Sequence, residues 1–218
     1  MSQTRLEITA QIVPILSKMF RLTIATRNAH KTREFAEILG HDFVVSDLSA
    51  VTEMQPIEES GETFVENAIL KAVTVSAAVA GWVVADDSGL EVAVLNGAPG
   101  IRSARFAGEH ARDSENVTKL LAAVAAADPE KRNRAARFSC VLALARAGEL
   151  VHVVEGIVEG SLASVPKGEN GFGYDPVFTP AGYERTFAEL GEPIKNRISH
   201  RAQAIAALCE YLRQRGEI

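Results

Sequence analysis

The run Trp82-Val83-Val84-Ala85 leads directly onto two adjacent carboxylates, Asp86 and Asp87. Four apolar residues, two of them β-branched, read as a short buried strand. Ser88-Gly89 behind the acids reads as a tight turn, and Leu90 to Leu95 as the next apolar run. Neighbouring acids at the end of a buried strand repel each other unless a positive charge sits beside them. A divalent cation is the usual partner, because hard cations take oxygen ligands and hold phosphates at the same time. Asp is equally at home opening a surface turn, so the pair taken alone permits either reading.

The flanking sequence supplies strands and helices in alternation. Phe20 to Ala25 reads as a first strand, and Thr26 to Lys31 as the link into a helix ending near Leu39, with Asn28 as N-cap and Gly40 closing it. Asp42 to Val45 is a second strand. A polar connector, Ser46 to Ser60, carries Glu53, Glu58 and Glu59. Thr63 to Glu66 matches a capping box, opening a long helix to Ala80. Beyond the acids, Asn96 to Gly100 is a turn cluster, Arg102 to Gly108 a polar loop, and Asp113 starts another helix. Arg137–Arg146 and Leu150–Val158 form a hairpin around Ala147-Gly148-Glu149. Gly171 to Pro176 is an irregular glycine-rich segment before the strand Val177-Phe178. Thr186 to Leu190 is a short helical piece, and Ser199 caps a final amphipathic helix through Leu212. The order predicts an α/β fold, a mixed central sheet flanked by helices.

The 218 residues allow one large domain or two small lobes. A net charge of −5 implies no broad basic face for nucleic acid, and no apolar run approaches the length of a membrane span. Cys140 and Cys209 lack metal-ligand spacing and read as buried free thiols of a reducing compartment, so the expected location is cytoplasmic. Residues 1–19 show no clear period and read as an N-terminal extension. Glu7 and Pro14 interrupt its apolar group Ile12 to Leu16, which argues against a signal peptide.

Basic residues gather at helix starts: Lys31 at the first helix, His200 and Arg201 at the last, with Lys195 and Arg197 just before it. Cations there face the positive end of the helix dipole at a cost of about 0.3 to 1 kcal/mol each. Repeating that placement fits anion sites, where free backbone N–H groups and cations converge on phosphate; solvent-facing side chains are the plainer alternative. Glu58 and Glu59 precede the long helix, where its dipole favours acids. One of them could equally join Asp86 or Asp87 around Mg²⁺. In Gly171-Phe172-Gly173-Tyr174-Asp175-Pro176 the glycines permit close backbone approach and the rings offer stacking faces, though a core Phe and Tyr beside a turn would look the same.

Taken in order, these stretches closely resemble the inosine triphosphate pyrophosphatase (Ham1-like) family. The segments are Ala25 to Lys31, Glu59-Ser60-Gly61 with Phe64 to Ala68 and Lys71-Ala72, Ala85 to Leu90, Gly97 to Ile101 with Ser103-Ala104-Arg105, Gly171 to Pro176, and Ile198 to Arg201. They cover the chain from Phe20 to its end, so 20–218 reads as the pyrophosphatase domain. One departure is Arg27, where bacterial members often carry Gly; it would alter the loop or add a phosphate contact. The resemblance implies an elongated two-lobed fold around a cleft, a homodimer, and Mg²⁺-dependent hydrolysis of ITP, dITP and XTP to monophosphate and pyrophosphate. It implies Asp87 as general base and metal carboxylate, Glu59 as second metal ligand, and Asp86 in support. Thr26, Arg27, Asn28, Ala29, His30, Lys31 and Lys195 would hold the triphosphate. Ser88, Phe172, Gly173, Tyr174, Asp175, His200 and Arg201 would contact the nucleoside. The Maf-type pyrophosphatases share a similar fold with other base preferences, but the Ser-His-Arg and Phe-Gly-Tyr-Asp segments argue against them. A nucleotide-binding module without catalysis is the alternative of a different class.

Overall fold

The computed structural model describes residues 19–51, 54–55, 57–130 and 133–218. Residues 1–18 of the expected extension, and Glu53 of the connector, lie outside the described residues. The first strand, β1 (Phe20–Ile24), buries Phe20, Leu22 and Ile24 and leads to helix α1 (Ala29–Leu39). The Asn28 side chain caps α1 by accepting from the N–H groups of His30 and Lys31. Strand β2 (Phe43–Asp47) follows, and helix α2 (Phe64–Ala78) opens on the expected Thr63–Glu66 capping box. It ends on Val79, short of Gly81.

The acidic stretch departs from the sequence reading. No turn occurs at Ser88-Gly89: strand β3 runs unbroken from Trp82 to Val92. Its antiparallel partner β4 (Ala135–Arg146) pairs straight through the acids, with Asp86 opposite Leu142 and Asp87 opposite Val141. Gly89 serves close approach instead. A Cβ there would lie 2.4 Å from the Gly100 carbonyl and 2.5 Å from Ser103 Oγ, because the 3₁₀ segment Gly100–Arg105 packs directly on the strand. The run after Val92 is also not strand; Ala93–Leu95 forms a 3₁₀ turn.

Helix α3 (Asp113–Ala127) precedes β4, and a two-residue turn, Ala147-Gly148, joins β4 to β5 (Glu149–Leu162). Both hairpin strands extend further than their apolar cores suggested. Strand β6 (Phe178–Pro180), helices α4 (Phe187–Leu190) and α5 (Glu192–Ile198), and the Ser199-capped α6 (His200–Gln214) complete the chain. Val177 belongs to a 3₁₀ turn, Asp175–Val177, and not to the strand. Helix α5 was not legible in the sequence.

The six strands form one mixed sheet in the order β2-β1-β3-β4-β5-β6, parallel at β2-β1-β3 and antiparallel beyond. On one face, α1 and α6 pack over Leu22, Val84, Leu142 and Leu144. On the other, Ala68, Ala72 and Val75 of α2 cover Val83, Ala85, Val141 and Ala143. The far ends of β3, β4 and β5 leave this body and build a second apolar cluster with α3, β6 and α4 around Leu120, Phe138, Phe178 and Phe187. Two lobes therefore share long strands; β5, at 14 residues, spans about 45 Å.

The crowding at Gly89 gives a direct check. Gly89→Ala forces a methyl group into backbone and a fixed hydroxyl, so stability should fall by about 1–3 kcal/mol. A lowered urea midpoint at unchanged m-value would show it.

Candidate active site

Alternation along β3 decides the fate of the two acids. Successive strand residues face opposite sides of a sheet, so Asp86 joins Val84 on the α1/α6 face while Asp87 joins Val83 and Ala85 on the α2 face.

Asp86 is buried and fully engaged. Oδ1 pairs with Lys31 Nζ and accepts from Ser88 Oγ at 2.8 Å; Oδ2 pairs with Arg201 Nε at 2.7 Å and accepts from Cys140 Sγ at 3.3 Å. Burial alone would raise its pKa, but the Arg201 and Lys31 charges outweigh it and hold the carboxyl well below the usual range. Asp86 therefore seats two cations. Arg201, itself fully buried, also pairs with Glu34, and Lys195 links Glu34 at 2.6 Å to Asp175 at 2.5 Å. Close crossing of α6 over β5 fixes Arg201: a Cβ on Gly156 would lie 2.1 Å from the His200 carbonyl.

Asp87 has different company. Its Oδ1 takes Lys71 Nζ at 2.8 Å, while Oδ2 is buried without a hydrogen-bond partner. Here burial wins over the attraction of Lys71, and the pKa is raised above the ordinary Asp value. Lys71 also reaches Glu59 Oε1 at 2.9 Å, and Arg105 Nη1 holds Glu59 Oε2 at 3.2 Å. Of the two candidate glutamates Glu58 is exposed, and Glu59 is the one brought to Asp87.

The two faces communicate through a notch. The β1–β3 ladder stops at Ile24 and Val84, so the Asp86 carbonyl has no strand partner on that edge. Lys71 Nζ takes it from one side at 3.0 Å and Lys31 Nζ from the other at 3.4 Å. This is the crevice beyond the carboxyl ends of parallel strands where α/β sheets bind ligands. Beside it lies a cavity of about 120 Å³ lined by Asn28, Lys31, Ser88, Phe138, Phe172 to Asp175, Lys195, His200 and Arg201, together with Gly89, Ser103, Asp113 and Asn116. Phe172 stacks on His30 with centroids 5.3 Å apart and receives Lys195 at 4.5 Å. His200 stacks on Phe138 at 4.6 Å; burial drives its pKa well down, and its Nδ1 has no partner.

A computed profile of the Ham1 family matches residues 22–211. The chain belongs to the Ham1 family. It is 48% identical over 192 residues to a dITP/XTP pyrophosphatase of Bacillus subtilis, covering 87% of this chain and 95% of that one. A protein of the same name from Streptomyces coelicolor is 47% identical, with 90% and 98% covered. The solved structure of a Ham1 protein from Coxiella burnetii superposes with a TM-score of 0.80 at 40% identity, covering 90% of this chain and all of that one, 100%.

In this Ham1 chain not every expected contact reaches the cavity. The Arg27 side chain does not line the cavity; its guanidinium donates to the carbonyls of Leu48, Val51 and Met54 at 3.2, 3.1 and 2.7 Å. Thr26 Oγ1 accepts from Asn28 N–H at 3.1 Å, and neither Thr26 nor Ala29 lines the cavity. Lys195 lines it, but between two carboxylates and inside α5. Sequence reasoning missed Glu34 and Arg105, and gave Lys71 no role. Lys71 had a signal: it sits on the stripe Ala68-Ala72-Val75, where a lone cation on a buried helix face needs partners.

Removing Asp86 should leave Arg201 buried with one partner fewer, so Asp86→Asn should cost about 3–5 kcal/mol. Because the folded pKa is depressed, the contribution of Asp86 is full above its unfolded value, about 3.9, and is lost as pH falls toward the folded value. Urea denaturation of wild type and variant should show the full gap at pH 7 and a narrowing one below about pH 4.

Proposed function

We propose that this chain hydrolyses non-standard purine nucleoside triphosphates, dITP, ITP and XTP, to the monophosphate and pyrophosphate. The observation that carries the chemistry is the buried, partnerless Oδ2 of Asp87, set one ammonium away from Glu59 and beside the notch. The purine preference is supported by the relatives named dITP/XTP pyrophosphatase, at 43–48% identity.

The donor set fits Mg²⁺, which at phosphate sites needs only one or two carboxylates, with phosphate oxygens and water completing the shell. Among the described residues no group of three or more His, Cys, Asp or Glu side chains is placed to hold a metal. Glu59 and Asp87 would hold the ion, and Lys71 Nζ stands between these carboxylates as the positive charge. When bound, Mg²⁺ neutralises phosphate charge and favours the leaving pyrophosphate.

The remaining work falls to side chains. Lys31 and Lys71 meet at the notch and draw the triphosphate across it from the cavity. Asp87 accepts a proton from a water that attacks the α-phosphorus; the bond from that phosphorus to the bridging oxygen breaks, and its electron pair leaves with pyrophosphate. Phe172, with His30 and Lys195 against its ring, gives the base an apolar wall of the cavity. Neutral His200 can present Nδ1–H to a 6-oxo group; adenine, with an amino group there, would leave that donor unpaired at a cost of about 1–3 kcal/mol. We also propose that the domain spans 20–218 and acts as a cytoplasmic homodimer. Its two buried free thiols suit a reducing compartment, and a solution mass equal to one chain would overturn the dimer.

Pyrophosphate release from dITP, dATP and dGTP with Mg²⁺ is the direct test. Wild type should prefer dITP, and Asp87→Asn should lower kcat by about 10²–10⁴-fold. Binding without turnover would leave a nucleotide-binding module; equal rates on dITP and dATP would remove the base selectivity. With Mg²⁺ present, kcat/KM should fall as pH is lowered and the Asp87 base takes up its proton.

A further inference from the structure

Glu59 has no regular element to hold it. The described residues between the 3₁₀ turn Leu48–Ala50 and α2 contain neither helix nor strand. Two cations fix its carboxylate, and they take different oxygens: Lys71 takes Oε1 and Arg105 takes Oε2. Lys71 divides its ammonium among Glu59, Asp87 and the Asp86 carbonyl, so it cannot place one carboxylate independently of the other. Arg105 can. Among the described residues its only other carboxylate contact is to Glu109 at 3.9 Å, whose side chain is 80% exposed.

The anchor of Arg105 is rigid. Its segment, Gly100–Arg105, is pinned to β3 by Ser103 Oγ, which accepts from Leu90 N–H at 2.9 Å and donates to the Gly100 carbonyl at 2.7 Å. Tyr174 Oη donates to the Ser103 carbonyl at 2.8 Å and closes the segment from the other lobe. The strand residue under it, Gly89, lies two positions from Asp87 and so shares its face. We propose that Arg105 is a positioning residue, setting the Glu59 carboxylate opposite Asp87 for the divalent cation. The proposal rests on the reading of Glu59 and Asp87 as the metal pair. Groups that orient ligands in this way commonly govern metal affinity nearly as strongly as the ligands do.

Manganese(II) titrated into the full chain without nucleotide, followed by electron paramagnetic resonance, reads this without turnover. Arg105→Ala should weaken binding by about 10- to 100-fold, and Arg105→Lys should recover part of it, since a point charge reaches Glu59 without the planar fork. In pyrophosphate-release assays the Mg²⁺ requirement of Arg105→Ala should rise, with KM for dITP unchanged at saturating Mg²⁺. Wild-type manganese affinity in Arg105→Ala, with binding weakened in Glu59→Gln and Asp87→Asn, would overturn the proposal and leave the metal pair standing. A raised KM for dITP at saturating Mg²⁺ would also overturn it, making Arg105 a phosphate contact. Unchanged binding in both carboxylate variants would remove the metal pair itself, and the proposal with it. Should thermal melting show Arg105→Ala unfolded, Arg105→Gln carries the same comparison.

Discussion

The period of two along a β-strand governs this molecule more than any single contact. It takes Asp86 and Asp87, chemically identical neighbours, and sends them to opposite faces of one sheet. On the α1/α6 face two cations and two further donors saturate a carboxylate that stays ionised. On the α2 face one shared lysine leaves a carboxylate oxygen buried and unmatched. Opposite pKa shifts follow from surroundings alone. Pairs of titratable groups pushed apart in this way commonly mark a division of labour, and the proposed base, Asp87, is the one left short of partners.

The structural acid begins a buried chain of alternating charge, Lys31–Asp86–Arg201–Glu34–Lys195–Asp175. Each interior member has an opposite charge on both sides, the condition under which buried ions can be held without an unmatched partner. The chain runs from the notch at the end of β1 to the segment bearing Phe172, so the two ends of the cavity are parts of one electrostatic unit. Cys140 completes it from β4, its thiol kept protonated by burial and by Asp86.

Features governed by local rules were legible in the sequence. Asn28, the Thr63–Glu66 box and Ser199 start helices because a side chain satisfies nearby N–H groups, and the helices begin where those residues stand. What failed depended on distant chain. Gly89 looked like a turn because glycine often makes one; its real constraint is the carbonyl of Gly100. Arg27 was expected to alter the loop or add a phosphate contact; the carbonyls its side chain holds lie 21 to 27 residues away, beyond the reach of any local rule. Glu34 was hidden because its partners come from α5 and α6, and α5 itself is only seven residues long. That a connector glutamate could meet the Asp86-Asp87 pair was readable from the chemistry, but the choice of Glu59 and Asp87 among the four came only through the family resemblance, since nothing in their spacing singles them out.

The strands shared by the two lobes carry a mechanical consequence. β3, β4 and β5 run through both apolar clusters without a connecting loop, and their ladder is paired across the level of the cavity. Such a body has no pivot. Widening the cleft must twist or bend a continuous hydrogen-bonded ribbon, and the ribbon resists like a leaf spring, returning the lobes toward one another when the load is removed. The relaxed cleft is then the one the paired strands set, and narrowing it bends the same ribbon as widening it.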